Sequence, residues 1–337
     1  MMNFYKMVFS FSLILGTIIS ISATSWFTAW IGLEINLLSL MPLMKSFKNK
    51  FSAEASLKYF ITQAMASATL IFSIILIANF KYSSFFEISN LSSPLLNLAL
   101  LMKIGAAPLH FWLPEVVSGI SWYMNMIILT WQKIAPMILL FYSMKSSILI
   151  SMFIILSALI GSLEGINQTC LRKLLVFSSI NHISWMLSAL SSSLNSWLLY
   201  FSIYSFMNLN IIFLLNLNKI FFFSQIDKMT PNKSIKFFFF MNFLSLGGLP
   251  PFIGFFIKWI TLNEMIYNKL FFLSIMLIIL TLIALYFYLR MTFSTLMLST
   301  TENINPHFIQ KSLFCLSFSS FITLSSMTLL FSFTFFI

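Results

Sequence analysis

Eleven stretches of mainly apolar residues, separated by short polar or basic loops, run through this 337-residue sequence. Each is close to the length of about 20 residues that an α-helix needs to cross a bilayer. Backbone groups inside a bilayer must be hydrogen-bonded within the segment, so the sequence predicts an all-α polytopic membrane protein with about 11 transmembrane helices in a single membrane domain. The predicted spans, numbered 1 to 11, are 5–23, 26–44, 56–79, 94–112, 123–143, 147–165, 173–190, 195–217, 236–260, 270–291 and 312–336.

Composition supports a membrane protein and argues against a nucleic-acid partner. Hydrophobic residues make up 59% of the chain and charged residues 8%, which leaves too little polar surface for a soluble globule. The net charge of +11 would favour nucleic-acid binding in a soluble protein. Most of these basic residues lie between apolar stretches, where they orient the chain and meet lipid headgroups. Lys6 and the apolar residues 7–21 could form a signal peptide, but we interpret them as a retained first helix.

The basic residues are distributed unequally between the two sides of the predicted bundle. Thirteen of the 19 basic residues fall on the side of the N-terminus, and three, Lys81, Lys145 and Lys269, fall on the other side. Cytoplasmic or matrix loops carry such an excess of lysine and arginine. The split therefore predicts that the N-terminus lies on the inner side, which in a mitochondrion is the matrix.

The remaining three basic residues lie inside predicted helices. Lys103, Lys133 and Lys258 fall in spans 4, 5 and 9, and Glu34 falls in span 2. A charge at the bilayer centre costs about 2.5 to 3.5 kcal/mol on insertion scales, so such residues normally face the bundle interior and mark an ion or proton pathway. Snorkelling to the interface is the alternative, and it applies best to Lys258, because the end of its span is the least defined.

Prolines weaken the helix beside each buried charge. Proline has no N–H, so it leaves the carbonyl four residues earlier without its helical partner. Backbone that departs from a helix at membrane depth is tolerated only within protein or along a hydrated cavity. The strongest breaks are predicted at 105–108 in span 4 and 247–251 in span 9. The five prolines within spans are Pro42, Pro108, Pro136, Pro250 and Pro251.

The interrupted spans 4 and 9 are five helices apart, which suggests an internal repeat. We predict a first five-helix unit at 1–145, a second at 146–291, and a C-terminal loop and helix at 292–337. Because five is odd, the second unit would be inverted in the membrane, and interrupted helices in such repeats indicate the transport site. The lysine precedes the prolines in span 4 but follows them in span 9, so the repeat rests on helix positions alone.

Redox cofactors are not expected on this chain. Cys170 and Cys315 do not have the spacing of metal ligands. The sequence also contains no phosphate-binding loop, dinucleotide fingerprint or haem attachment motif. We therefore predict that the chain binds no metal, nucleotide or flavin.

Polar residues with helical spacing on spans 7 and 8 are candidates for lining a hydrated path. His182 is the main candidate, because imidazole can both accept and donate a proton near neutral pH. Hydrogen bonding between helices is the alternative role for all of these side chains. They are Ser178, His182 and Trp185 on span 7, and Tyr200, Tyr204 and Asn208 on span 8.

Six motifs, in order along nearly the whole chain, resemble the subunit 2 family of mitochondrial NADH dehydrogenase in an insect or other arthropod form. This family is one of the antiporter-like membrane subunits of respiratory complex I, and its animal members have eleven helices. The motifs are WIGLEINLLSLMPL, EASLKYFITQA, KIGAAPLHFWLPEV, LTWQKIAP, GINQTCLRKLLVFSSINHISWML and MNFLSLGGLPPFIGFFIKW.

The resemblance implies a proton-translocating subunit of NADH:ubiquinone oxidoreductase in the inner mitochondrial membrane. Glu34 and Lys103 match the family's glutamate–lysine pair, Lys133 its central lysine and Lys258 its terminal lysine, and His182 falls in a matching motif. NADH, FMN, iron–sulfur clusters and ubiquinone would then belong to other subunits, and neighbouring antiporter-like subunits would be the partners. A subunit of a multisubunit cation/proton antiporter is the alternative, because it would contain the same helices and buried charges.

Overall fold

The computed structural model describes residues 2–46, 49–80, 86–144, 147–228, 233–250 and 252–297. These residues form thirteen α-helices, a short 3₁₀ helix at Phe223–Lys228, and an isolated β-bridge between Cys170 and Phe222. The α-helices are α1 Met2–Ile21, α2 Trp26–Met44, α3 Lys50–Phe80, α4 Phe86–Ile104, α5 Trp112–Gly119, α6 Trp122–Leu129, α7 Trp131–Ser143, α8 Ser147–Ile166, α9 Leu171–Ser192, α10 Leu194–Asn218, α11 Lys233–Gly247, α12 Ile253–Tyr267 and α13 Phe271–Met297.

Within the described residues, eight segments are long and apolar enough to cross a membrane. They correspond to predicted spans 1, 2, 3, 5, 6, 7, 8 and 10, and the prediction of an all-helical, multi-pass membrane protein is confirmed. Span 3 begins earlier than predicted, at Lys50, so Glu54 also lies inside the helix, one turn before Lys58. Lys58 is 2.9 Å from Glu54 and 2.8 Å from Glu115 of α5. Span 11 lies outside the described residues.

Spans 4 and 9 are divided at the predicted places. In span 4, α4 ends at Ile104, Gly105 has a φ of +80°, and α5 begins only at Trp112. In span 9, α11 ends at Gly247, Gly248 has a φ of +79°, and α12 begins at Ile253. A positive φ strains residues that carry a Cβ, so glycine is suited to both turns.

Span 5 is one apolar segment, Trp122–Ser143, as predicted, but its helix has a break that was not predicted. It is divided at Thr130 into α6 and α7. The Thr130 hydroxyl donates to the Met126 carbonyl at 2.7 Å, and the Lys133 N–H donates to the Thr130 carbonyl at 3.2 Å in a tighter turn. A threonine that bonds back to its own helix competes with the regular backbone pattern. The Thr130 N–H still donates to the Met126 carbonyl at 3.1 Å, and the break lies six residues before Pro136.

The chain divides into two compact units, unit 1 at residues 1–156 and unit 2 from residue 157, with the boundary inside α8. In unit 1, α1 and α2 approach closely at glycines, since a Cβ on Gly32 would lie 2.6 Å from the Ser20 nitrogen. In unit 2, α9 is the central helix, nearly every residue of which is buried, and it packs against α10, α12 and α13. The predicted inverted five-helix repeat stays a prediction.

Candidate functional site

Lys103 and Lys133 line one cavity inside unit 1. Lys103 is in the last turn of α4, next to the helix break, and is 6% exposed, while Lys133 is in the first turn of α7 and is 1% exposed. The centre of a water molecule can occupy about 20 Å³ of this cavity, which is room for about one water molecule next to the polar groups. Its other lining residues are Leu33, Asn36, Leu37, Tyr59, Gln63, Ile104, Trp112, Leu113, Ile128, Gln132 and Pro136.

Glu34 is half-buried on α2, beside Leu33 of the cavity wall. Its carboxylate interacts electrostatically with the Lys103 ammonium. In the described part of the chain, the two side chains do not form an ion pair within 4.0 Å. The structure therefore places Glu34 beside the cavity that Lys103 lines, without a direct bond between the two side chains.

Four uncharged polar side chains of the cavity were missed by the sequence analysis. The Gln132 amide donates to Asn36 Oδ1 at 2.8 Å, and the Tyr59 hydroxyl donates to Gln132 Oε1 at 3.4 Å. The Gln63 amide donates to the Lys103 carbonyl at 3.4 Å. These contacts connect α2, α3, α4 and α7 around the lysines. A signal was present, because Tyr59 and Gln63 are four residues apart and so share a helix face.

Lys258 is 8% exposed and lies inside unit 2. Its ammonium donates to the Gly247 carbonyl at 2.9 Å and lies 3.5 Å from the Leu246 carbonyl, both at the broken end of α11. The Trp185 ring of α9 is 5.8 Å away, within the range of a cation–π contact. The side chain is thus bound to protein at the interrupted helix.

His182 is buried on α9 in unit 2 and contacts α10. Its Nδ1 lies 2.8 Å from the Tyr200 hydroxyl, and its ring centroid is 5.1 Å from that of Tyr204. The polar stripes predicted on spans 7 and 8 therefore meet. An imidazole hydrogen-bonded to a phenol can exchange a proton with it, since both groups can donate and accept.

The candidate residues fall into two groups. Lys103 and Lys133 share the unit 1 cavity with Glu34 nearby, and His182 and Lys258 belong to unit 2. Trp185 is three residues after His182 on α9, so the two members of the second group border the same face of that helix.

Comparison with known proteins gives consistent matches. Residues 23–284 match the family described as NADH:quinone oxidoreductase/Mrp antiporter, TM. NADH-ubiquinone oxidoreductase chain 2 of Anopheles gambiae is 49% identical, with 88% of this chain and 87% of that protein covered. The protein of the same name from Locusta migratoria is 44% identical, with 89% and 88% covered.

Two solved structures share the fold at low sequence identity. A chain of respiratory complex I from Thermus thermophilus has a TM-score of 0.85 at 21% identity, with 96% of this chain and 77% of that chain covered. A chain of the Mrp complex from Dietzia sp. DQ12-45-1b has a TM-score of 0.74 at 16% identity, with 83% and 58% covered.

Proposed function

Because this chain belongs to the NADH-ubiquinone oxidoreductase chain 2 family, we propose that it is a proton-translocating, antiporter-like core subunit of respiratory complex I. The resemblance inferred from its motifs, including the likeness to insect proteins, is confirmed by these relatives. One observation carries the proposal: two buried lysines from different helices line one cavity beside a half-buried glutamate. A scaffold would not need charges that are costly to insert into a membrane.

In the proposed mechanism, Glu34 controls whether Lys103 holds its proton. Desolvation favours a neutral lysine and a nearby carboxylate favours a charged one. When Glu34 approaches, Lys103 stays charged; when Glu34 moves away, the proton passes to Lys133 through water in the shared cavity. Two unit charges 4 Å apart interact by about 4 kcal/mol at an effective dielectric constant of 20. Moving one charge against a membrane potential takes about 2.3 kcal/mol per 100 mV. The interaction energy of the Glu34–Lys103 pair is therefore large enough to move a proton against a potential of this size.

His182 and Lys258 continue the relay in unit 2. The hydrogen bond between His182 and Tyr200 supports a role in proton transfer, because it provides a second exchangeable proton at a buried site. A charge that arrives at one lysine disfavours protonation of the next lysine. Protons would therefore move in steps along the buried residues.

We further propose eleven transmembrane helices in two inverted five-helix repeats, in the inner mitochondrial membrane. The chain would hold no cofactor, since its cysteines and loops lack binding motifs, and NADH, FMN, iron–sulfur clusters and ubiquinone would be bound by other subunits. Its partners would be other membrane subunits of complex I, including neighbouring antiporter-like subunits, and membrane lipids.

The N-terminus is proposed to lie in the matrix, and two exposed loop positions test this orientation. Asn167 follows α8 on the proposed matrix side, and Lys269 precedes α13 on the opposite side. In a chain whose Cys170 and Cys315 are replaced by serine, we expect an impermeant thiol reagent to label Asn167→Cys only in inside-out membrane particles and Lys269→Cys only in mitoplasts. The reverse pattern would place the N-terminus outside, and labelling of both from one side would refute the helix count between them.

Separation of membrane complexes in a mild detergent tests the proposed function. We expect the chain to comigrate with NADH dehydrogenase activity in a large complex, because an isolated subunit lacks the redox centres that drive transport. Proton translocation by membranes that contain this complex should be independent of Na⁺. Comigration with other antiporter subunits only, together with transport that requires Na⁺, would support the cation/proton antiporter instead.

A further inference from the structure

The ammonium of the buried Lys258 is bound by backbone carbonyls. In the described part of the chain, no carboxylate lies within 4.0 Å of its ammonium group. The acceptors are the carbonyls of Gly247 at 2.9 Å and Leu246 at 3.5 Å. Lys103, by contrast, has Glu34 as an electrostatic neighbour.

The two carbonyls are available because of the sequence that follows them. Leu246 and Gly247 are the last two residues of α11, and each lies four residues before a proline, Pro250 and Pro251 respectively. Proline has no N–H to donate to the carbonyl four residues earlier. The carbonyls at a helix C-terminus also carry the negative end of the helix dipole, which favours a cation. The ammonium also lies over the Trp185 ring, with Lys258 Nζ 5.8 Å from the ring centroid.

Gly248 occupies the turn that closes this backbone site. Its φ is +79°, a conformation that suits glycine. An added Cβ would lie 2.8 Å from Lys258 Nζ, 2.9 Å from Cδ and 3.1 Å from Cε. The atoms that would have to move belong to the end of the lysine side chain, so a side chain at position 248 would displace Lys258 from the carbonyls.

We propose that the broken end of α11 acts as the counter-charge of Lys258, as Glu34 does for Lys103. In this arrangement Gly248 is a positioning residue, because it leaves the space in which the ammonium reaches the Leu246 and Gly247 carbonyls. This inference rests on the proposed function, since the counter-charge controls a proton that Lys258 relays. It also gives the helix break a chemical role, because an intact helix would have no carbonyl to offer.

The substitution Gly248→Ala tests the inference in the assembled complex. We expect it to lower proton translocation per assembled complex by about tenfold, because a hydrogen bond to a charged group contributes at least that factor to an equilibrium. Leu249→Ala is the matched control. It alters the next residue of the same turn but places no atom against Lys258, and translocation should be retained. A structure of the Gly248→Ala complex should place Lys258 Nζ beyond hydrogen-bond distance of the Gly247 carbonyl.

A double substitution separates positioning from a general structural effect. If Gly248 acts through Lys258, then Gly248→Ala adds no further loss of translocation to Lys258→Met, because residues that act as one unit are not additive. Additive losses, or Gly248→Ala complexes that pump normally with the lysine displaced, would overturn the inference. Normal pumping by Lys258→Met alone would instead refute the role of Lys258 in the proposed function.

Discussion

Replacing Lys103 or Lys133 by methionine is expected to lower proton translocation by about 100-fold while the complex still assembles. The loss follows from the removal of a proton-carrying group, since a positioned acid–base group typically contributes a factor of about 10² to 10⁴. Assembly should be retained, because methionine has a similar length and removes a charge that is costly to bury. Proton translocation and NADH:ubiquinone turnover in membranes, both normalised to assembled complex, provide the measurement.

A matched control at an exposed lysine and a third variant at Glu34 make this experiment specific to the buried charges. Lys45→Met removes a lysine that is exposed at the end of α2, and it should change neither assembly nor translocation. Glu34→Gln retains the shape of the glutamate and removes its charge, so it should impair translocation through Lys103. If all three variants of Glu34, Lys103 and Lys133 pump normally, the buried charges are structural and the proposed relay is wrong.

The sequence was sufficient to predict where the helices break. Glycine followed by proline is a strong signal in an apolar stretch, because one residue permits a positive φ and the other removes a hydrogen bond. Both breaks with this pattern, near Gly105 and Gly248, are present. The break at Thr130 was missed, since threonine is common in continuous transmembrane helices. Thr62 donates to the carbonyl four residues earlier, as Thr130 does, and α3 is unbroken there.

The charged members of the site could be predicted, but the grouping of the uncharged members in one cavity could not. A lysine within an apolar span is conspicuous because placing its charge in a membrane costs several kcal/mol. Such a residue is therefore expected only where it has a function. Asn36, Tyr59 and Gln132 cost less and occur in many membrane helices, so their positions alone do not indicate a common cavity. Their grouping depends on how α2, α3 and α7 pack, which the spacing along each helix does not determine.

The order of lysine and prolines in span 9, which did not match that in span 4, has a structural explanation. In span 4 the lysine lies in the last turn of the helix before the break. In span 9 the helix breaks at Gly248, and Lys258 of α12 reaches back to the carbonyls at the end of α11. Chain order is therefore different at the two sites, while in both cases the lysine is beside an interrupted helix.

The close approach of α11 and α12 makes Gly254 the glycine with the largest expected effect on assembly. An added Cβ would lie 1.6 Å from the Ser245 carbonyl oxygen and 2.7 Å from its carbonyl carbon. Both are backbone atoms, which cannot rotate away as a side chain can. We expect Gly254→Ala to separate the two helices and to lower the amount of assembled complex at least about tenfold, consistent with the cost of overpacking of typically 1 to 3 kcal/mol or more.

Native electrophoresis and immunodetection of this chain provide the measurement for Gly254→Ala. Gly247→Ala is the control, because it adds one methyl group to α11 at a position where the nearest atoms belong to α13. A Cβ on Gly247 would lie 3.4 Å from the Tyr288 ring, which is an ordinary contact, so the amount of assembled complex should be retained. Equal assembly of the two variants would mean that α11 and α12 do not meet at Ser245 and Gly254. Because Lys258 is four residues after Gly254 on α12, the same contact determines how far the lysine can reach toward the end of α11.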